Sequence, residues 1–386
     1  MVGHPGELRF DMADARPFSF PEEEQRLLGS AIGLFLIGQL IEIILIQQVA
    51  SSSDQSLCRL DCLWYAGIAE KGYQPATPPL TFMEMRNWAF FPLFPIAIRA
   101  MVSVFSLRYV TAAILTSKLF FLLAIYAFIQ LGKRYLPASN PLGVGAVAAL
   151  NPYAIYGNAG YTESLFLLLT CLFFIQLKRS RMVSAGIAGM LLSATRLVGI
   201  CAMASHLLIM VEEGSTWPRT KRQLAILGLL MIPIGLLMFM VHLALVTGDP
   251  LAFVHIQKAW RGVNPGIAPW NWIISLARGL TDGGAVYIYP YFSITGMVVL
   301  GMAGFFLRRK PFRALALFTL LGTVLPLMSD VWALPRYVWW QAPVLLFVAG
   351  VATRNRALLV GWLVVALLVN VACYRQWFSP MAWLIS

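Results

Sequence analysis

Residues 27–49 read LLGSAIGLFLIGQLIEIILIQQV. As a helix this run is long enough to cross the ~30 Å hydrocarbon core of a bilayer. It carries Gln39 and Glu42, two groups that hydrocarbon excludes. Such groups face a bundle interior and find partners there, so Glu42 calls for a partner that the local sequence does not name. Just upstream, Pro21 followed by Glu22-Glu23-Glu24 has the form of a helix start, with acids in the first turn. Residues 1–26 are polar and mixed in charge, unlike a secretory signal, and read as a cytoplasmic tail. Residues 27–386 read as one integral-membrane domain.

Composition agrees with lipid as the main solvent. Of 386 residues, 59% are hydrophobic and 12% charged, and the mean hydropathy is +0.74. Soluble domains run nearer 45–50% apolar and about 25% charged. The net charge of +12 sits in short clusters between apolar runs: Lys133-Arg134, Lys178-Arg179 with Arg181, Arg219 with Lys221-Arg222, Arg308-Arg309-Lys310, and Arg354 with Arg356. That distribution follows the positive-inside rule, so anionic membrane lipids and not nucleic acid are the expected partner of the charge.

Downstream of the first run comes RLDCLWYAGIAEKGYQPATPPLTFMEMRNWAFFPLFP, residues 59–95. It sets Asp61, Glu70, Glu84, Arg86 and Asn87 among Trp64, Tyr65, Tyr73, Trp88, Phe90 and Phe91. Carboxylates among aromatics at a membrane boundary suit a half-polar, half-apolar ligand. The aromatics by themselves fit an interfacial belt better than a site. Asp61, inside an otherwise apolar helical pattern, is costly unless it is used. Cys58 and Cys62, four apart, would share a helix face; two ligands at that spacing carry no expectation of a metal site, and none of a disulfide. Cys171, Cys201 and Cys373 lie in apolar runs and read as core residues.

Placing every basic cluster inside sets the parity of about eleven transmembrane helices. They fall near 27–49, 109–131, 141–157, 164–177, 182–195, 197–211, 223–247, 285–307, 312–328, 337–352 and 357–377, with interfacial helices in the outer loop 50–107. Several are short for a straight crossing and are expected to be tilted, broken or buried by neighbours. The outer side then collects Asp61, Glu70, Glu84, Arg86 and Asn87; Asn158, Tyr161 and Glu163; Arg196; the outer loop 248–284 with Asp249, His255, Lys258, Trp260 and Arg261; and Asp330 with Arg336-Tyr337. Almost every intramembrane or near-membrane ionisable residue outside the basic clusters maps to one face, which points to an outward-facing site centred on the loop 50–107.

Several stretches resemble one family. LDCLWYAGIAEKGY (60–73) looks like the first lumenal-loop motif of the PIG-V family, the second mannosyltransferase of GPI-anchor synthesis, and its bacterial relatives. NWAFFPLFP (87–95), NPYAIYGNAGYTESLF (151–166), SATRLVG (193–199) and LPRYVW (334–339) are similar to further family segments, and they occur in family order. Leu60 stands where the family often has Trp, and Glu84-Met85-Arg86-Asn87 where it has an acid–His–Asn triplet.

The resemblance implies a GT-C type glycosyltransferase, of mannose by family leaning. It would move a sugar from a polyprenyl- or dolichyl-phosphate donor to a hydroxyl of a lipid-linked or cell-envelope glycan. The site would face the periplasm or outside in a bacterial plasma membrane, or the lumen in an ER membrane. It also implies Asp61 as catalytic residue, a general base in a single inverting displacement. Arg196 and Arg336, then Lys258 and Arg261, are the candidate grips on the donor phosphate. Sugar or acceptor contacts are expected from Glu163, Asn158, Tyr161, Asn87, Glu84, His255 and Tyr337. For Glu163 an arginine pair, for Asn158 and Tyr161 turn packing, for His255 a surface hydrogen bond and for Glu84 a solvated loop charge are the alternative readings. Trp260, Trp270 and Trp272 fit either sugar stacking or interfacial anchoring. No cofactor is expected beyond the donor substrate, and metal dependence and oligomeric state are left open. The competing class is a polytopic lipid or solute transporter or flippase, for which Gln39 and Glu42 are the main support.

Overall fold

The computed structural model describes residues 21–50, 56–76, 85–261, 270–281, 289–329 and 331–382. Helices and short 3-10 turns are the only regular elements among them. The first helix begins at Glu22, directly after Pro21, with Glu22, Glu23 and Glu24 in its first turn. Acids there meet the positive end of the helix dipole.

Among the described residues seven helices are long and apolar enough to cross a membrane: Glu22–Val49, Tyr109–Tyr135, Leu197–Thr216, Arg219–Thr247, Tyr289–Leu307, Lys310–Leu327 and Arg356–Trp377. The chain is an integral, multi-pass membrane protein. The expected count of about eleven is not reproduced. The other four expected spans are the shorter helices Pro141–Ala149, Glu163–Lys178, Met182–Ser193 and Ala342–Ala352, of 9, 16, 12 and 11 residues. At about 1.5 Å per residue, the longest of these is about 24 Å. Burial explains them: 12 of the 16 residues of Glu163–Lys178 are buried. A helix wrapped by protein need not match the bilayer, because its neighbours satisfy its ends. Glu22–Val49 is the opposite case, with Leu36, Ile37, Leu40, Ile43 and Ile44 exposed on its outer face.

The ends of the bundle are chemically distinct. At one end Lys133 pairs with Glu23 at 2.5 Å, and Glu24 accepts from Tyr126 and Gln130. Lys178 lies 5.2 Å over the Tyr135 ring, Lys221 bonds Ser180 at 3.2 Å, and Arg313 pairs with Glu212 at 2.8 Å. The basic clusters of Lys133, Lys178 and Lys221 thus meet where the first helix begins. Glu163 starts the helix that Lys178 ends, so it sits about 22 Å away at 1.5 Å per residue.

In the segment 50–107, Asp61–Lys71 and Leu93–Phe105 are helices, tied together where Arg99 Nε donates to the Ala69 carbonyl at 2.8 Å. Cys58 and Cys62 are disulfide-bonded, with Cα atoms 5.2 Å apart. This corrects the sequence expectation: Asp61–Lys71 begins only at Asp61, so Cys58 lies in the preceding turn and not on a shared helix face.

Helices Met182–Ser193 and Arg219–Thr247 pack backbone against backbone. A Cβ at Gly186 would lie 2.6 Å from Gly228 Cα. Small residues allow this approach in lipid, where packing and not hydrophobicity drives association. At the Pro233 break in the second helix, Ser193 Oγ donates to the freed Ile232 carbonyl at 2.6 Å. Gly186→Leu should therefore cost about 3 kcal/mol by overpacking, read as a lower thermal midpoint in detergent. Gly301→Leu, where a Cβ meets nothing within 4 Å, should leave the midpoint unchanged.

Candidate active site

The loop before Asp61 turns sharply. Leu60 has φ 53° and ψ −117°, a conformation that β-carbon sterics disfavour for leucine. Several contacts hold it. The Asp61 N–H donates to Tyr161 Oη at 3.2 Å, and the Tyr161 hydroxyl donates to the Arg59 carbonyl at 3.2 Å. Arg59 Nη1 reaches the Trp377 carbonyl at 2.7 Å. The Cys58–Cys62 bond closes a small ring around Leu60 and Asp61. Gly160, at φ +79°, lets the 160 segment press against this ring; a Cβ there would run into Cys62 Sγ.

Asp61, Glu163, Arg196 and Arg336 come together. Arg336 Nη2 lies 2.8 Å from Asp61 Oδ2, and its Nε donates to Glu163 Oε1. Arg196 Nη2 donates to the same Glu163 oxygen at 2.6 Å. Arg196 can reach because its backbone is extended (φ −158°, ψ 150°) in a break between Met182–Ser193 and the turn Leu197–Cys201. That break is itself satisfied, since the Leu93 N–H donates to the Ala194 carbonyl at 3.2 Å. Glu163 stands at the first position of its helix, where the dipole favours a carboxylate.

Aromatic faces wall the guanidinium groups. Arg336 lies 4.6 Å from the Tyr161 ring centre, 5.0 Å from Tyr156 and 5.5 Å from Tyr337. Arg196 lies 5.2 Å from Tyr337 and 5.8 Å from Phe166. Such stacking is worth more where water is excluded. Burial alone would lower the pKa of Arg336, but Glu163 and then Asp61 outweigh it and hold the guanidinium well above its ordinary value. Burial, reinforced by Asp61, pushes the Tyr161 hydroxyl well up, so it serves as a donor and not a base.

Exposure separates the four side chains. Glu163 is 0% exposed and Arg336 3%, whereas Arg196 is 12% and Asp61 20%. The carboxylate and guanidinium that an arriving molecule can touch are therefore those of Asp61 and Arg196. Glu163 Oε2 is buried and has no partner among the described residues.

The other expected contacts disperse. Tyr337 lies between the two arginines. Tyr161 is fully buried and braces the Asp61 turn. Asn158 turns away: its Oδ1 accepts from Gln39 at 2.9 Å and its Nδ2 donates to the Ala154 carbonyl at 3.2 Å. Asn87 knits the outer loop, bonding the Gln74 N–H and the Gly72 carbonyl at 3.1 Å each. His255 is exposed and bonds Asp249 at 2.6 Å, the surface alternative. Lys258 is exposed on the short helix Gln257–Arg261. Glu84, Asp330 and the Arg261 side chain lie outside the described residues. Glu70 is solvated beside Lys71, at 3.9 Å. Trp260 packs edge-on to Trp64 at 5.3 Å, Trp270 is exposed, and Trp272 is partly buried in a side cluster. Among the described residues no three His, Cys, Asp or Glu side chains gather as a metal ligand set.

Sequence reasoning missed three participants. Tyr156 lay inside an expected span, and the Cys58–Cys62 spacing was uninformative. Lys118 is the partner Glu42 called for, at 2.5 Å; a lone lysine inside the apolar run 109–131 was the signal for it.

The family model described as Mannosyltransferase (PIG-V) matches residues 36–258. No curated protein matches. Among solved structures the chain resembles ArnT from Cupriavidus metallidurans bound to undecaprenyl phosphate. The TM-score there is 0.50 and the identity 16%, covering 89% of this chain and 64% of that one. It also resembles the Archaeoglobus fulgidus oligosaccharyltransferase in complex with zinc and sulfate, at TM-score 0.51 and 13% identity, over 90% of this chain and 53% of that one. These likenesses are of fold, and this chain is the shorter in both pairs. The family match contains Asp61, Glu163 and Arg196 and covers more than half of the sequence, so the chain belongs to the mannosyltransferase (PIG-V) family.

Proposed function

We propose that this protein is a membrane glycosyltransferase that moves a sugar, mannose by family, from a polyprenyl- or dolichyl-phosphate donor to a hydroxyl of a lipid-linked or cell-envelope glycan. The observation that carries the reading is the shared ion group: Asp61 on Arg336, and Arg336 and Arg196 on Glu163. It lies at the end of the bundle opposite the basic clusters. The undecaprenyl phosphate bound to ArnT supports a lipid-phosphate donor. The Cys58–Cys62 bond supports an oxidising compartment, the periplasm or a lumen, for this end.

In the proposed reaction an acceptor hydroxyl oxygen attacks the anomeric carbon and gives its proton to Asp61. The bond from that carbon to the phosphate oxygen breaks, and the lipid phosphate leaves with the electron pair. One displacement inverts the anomeric centre. A phosphate is already a good leaving group, so what helps it is positive charge fixed where charge develops. Arg196 is the better placed guanidinium. It is partly exposed and commits only Nη2, to Glu163, among the described residues. Arg336 is committed to both carboxylates and acts as the clamp that aims Asp61. Transport rested on Gln39 and Glu42, and both have partners inside the protein, Asn158 and Lys118, which favours the enzyme.

Purified protein given a radiolabelled polyprenyl-phosphate mannose and candidate acceptors should yield a product of opposite anomeric configuration. Counterflow in sealed vesicles with no transfer would instead select the transporter. Asp61→Asn is expected to lower kcat by about 10²–10⁴ while the protein stays folded; wild-type turnover in that variant removes the proposal.

Arg196→Ala should lower kcat/KM for donor by about 10- to 100-fold, the value of a hydrogen bond to a charged group, with a small change in thermal midpoint. Arg336→Ala takes the guanidinium from Asp61 and leaves the buried Glu163 with Arg196 alone, so its loss of stability, about 3–5 kcal/mol, should exceed that of Arg196→Ala. Equal midpoints for the two variants would contradict the division of roles.

A further inference from the structure

A second polar group lies inside the bundle, behind the first. Lys118 Nζ bonds Gln39 Oε1 and pairs with Glu42 Oε1 at 2.5 Å. Glu42 Oε2 accepts from the Tyr374 hydroxyl at 3.0 Å. Gln39 Nε2 donates to Asn158 Oδ1 at 2.9 Å. These side chains come from three long helices, Glu22–Val49, Tyr109–Tyr135 and Arg356–Trp377. They converge on residues 151–158, a turn followed by the one-turn helix Ile155–Asn158.

The first half of that stretch, residues 151–154, is turn, and its second half is the single helical turn Ile155–Asn158, so much of its backbone has no partner within a long helix. Tyr153 is left-handed, at φ 67°. Helices supply what the backbone lacks. The Ala154 N–H donates to Asn370 Oδ1 and the Asn151 carbonyl accepts from Asn370 Nδ2, both at 2.9 Å. The Tyr153 carbonyl accepts from Trp340 Nε1 at 3.2 Å, and the Gly157 carbonyl from Ser117 Oγ at 2.7 Å. Irregular backbone at this depth persists only where protein groups bond it. From the same stretch Tyr156 lies under Arg336, and three residues beyond its end Tyr161 holds the Asp61 turn. Asn158 and Tyr156 are two residues apart, so the stretch joins the two groups back to back.

An ion pair in hydrocarbon is expensive unless something depends on its geometry. Here the two charges are bonded by Gln39, Tyr374 and each other. A cavity of about 210 Å³, lined in part by Glu42, Asn158, Asn370 and Tyr374, lies alongside. Cutting a tie therefore leaves the stretch room to relax.

We propose that Gln39, Glu42, Lys118 and Asn158 are positioning residues: a buried ion pair braces residues 151–158 from behind and thereby sets Tyr156 and Tyr161 against Arg336 and Asp61. The proposal rests on the glycosyl-transfer reading for its effect on turnover, but the brace itself can be read without turnover.

The test uses full-length protein in detergent or liposomes, with Glu42→Gln, Lys118→Met, their double variant, and Asn158→Ala, which leaves the ion pair intact. A small misplacement at a site costs up to about 10²-fold in rate, so each single variant should lose about 10- to 100-fold in kcat. Donor KM should stay within about threefold, because Arg196 is untouched. The double variant should recover most of the loss, since no unpaired charge remains. Glu42→Gln and Asn158→Ala should combine with less than the sum of their separate effects. Amide hydrogen exchange should accelerate in peptides spanning 151–163 and nowhere else. Wild-type kcat and exchange in folded Asn158→Ala would overturn the proposal. So would exchange that rises across the whole bundle, or a fall in kcat matched by an equal rise in donor KM. If the wild type transfers no sugar, the functional reading fails, and the exchange pattern still decides the brace.

Discussion

Arg336 is the residue on which the arrangement turns. Its guanidinium is buried and shared between Asp61 and Glu163. A carboxylate with no solvent exposure, as Glu163 is, survives only with charge beside it. Two arginines meet one Glu163 oxygen, and Arg336 carries that charge on to Asp61. The group contains two acids and two bases and is neutral as a unit, which is what a water-poor end of a membrane bundle tolerates. The same logic governs Glu42 and Lys118, where one acid and one base are closed off by Tyr374 and Gln39.

The four site residues lie far apart in sequence, and each sits at a break in regular backbone or within three residues of one. Asp61 follows the left-handed Leu60, and Glu163 follows the left-handed Gly160 by three residues. Arg196 is itself extended between two helical segments, and Arg336 follows the left-handed Ala333. Strained backbone of this kind lasts only where surrounding contacts hold it. Here the contacts are specific: Tyr161 on the Asp61 turn, Leu93 on the Ala194 carbonyl, and the Cys58–Cys62 bond. Long helices such as Glu22–Val49 and Arg356–Trp377 expose most of their surface, while shorter ones carry the site inward.

Particular residues mark how far the sequence could be read. Asp61 stood out because an acid in an apolar helical pattern has a cost, and Arg196 and Arg336 because parity put them on its side. Glu163 left two readings open, and its pairing with both arginines shows the one that geometry realises. Asn158 was legible as polar and near the boundary but not as to direction, since the turn through 151–158 decides which way its amide points. Asn87 and Tyr161 were undirected in the same way: both bond backbone groups of neighbouring segments, which for Tyr161 is the packing reading. The disulfide was invisible, because four-residue spacing reads differently in a helix and in a turn.

The sequence alone determined the solvent, the helical class and which end of each span carries positive charge, because hydropathy and charge are local properties of the chain. It also carried the family, through motifs that kept their order. Only the tertiary structure decided which polar groups share a partner: that Glu42 belongs to Lys118, that Arg336 bridges two carboxylates, and that Asn158 faces the brace. Pairing depends on distances between residues up to hundreds of positions apart, and those distances are set by helix packing and backbone breaks that no single stretch encodes.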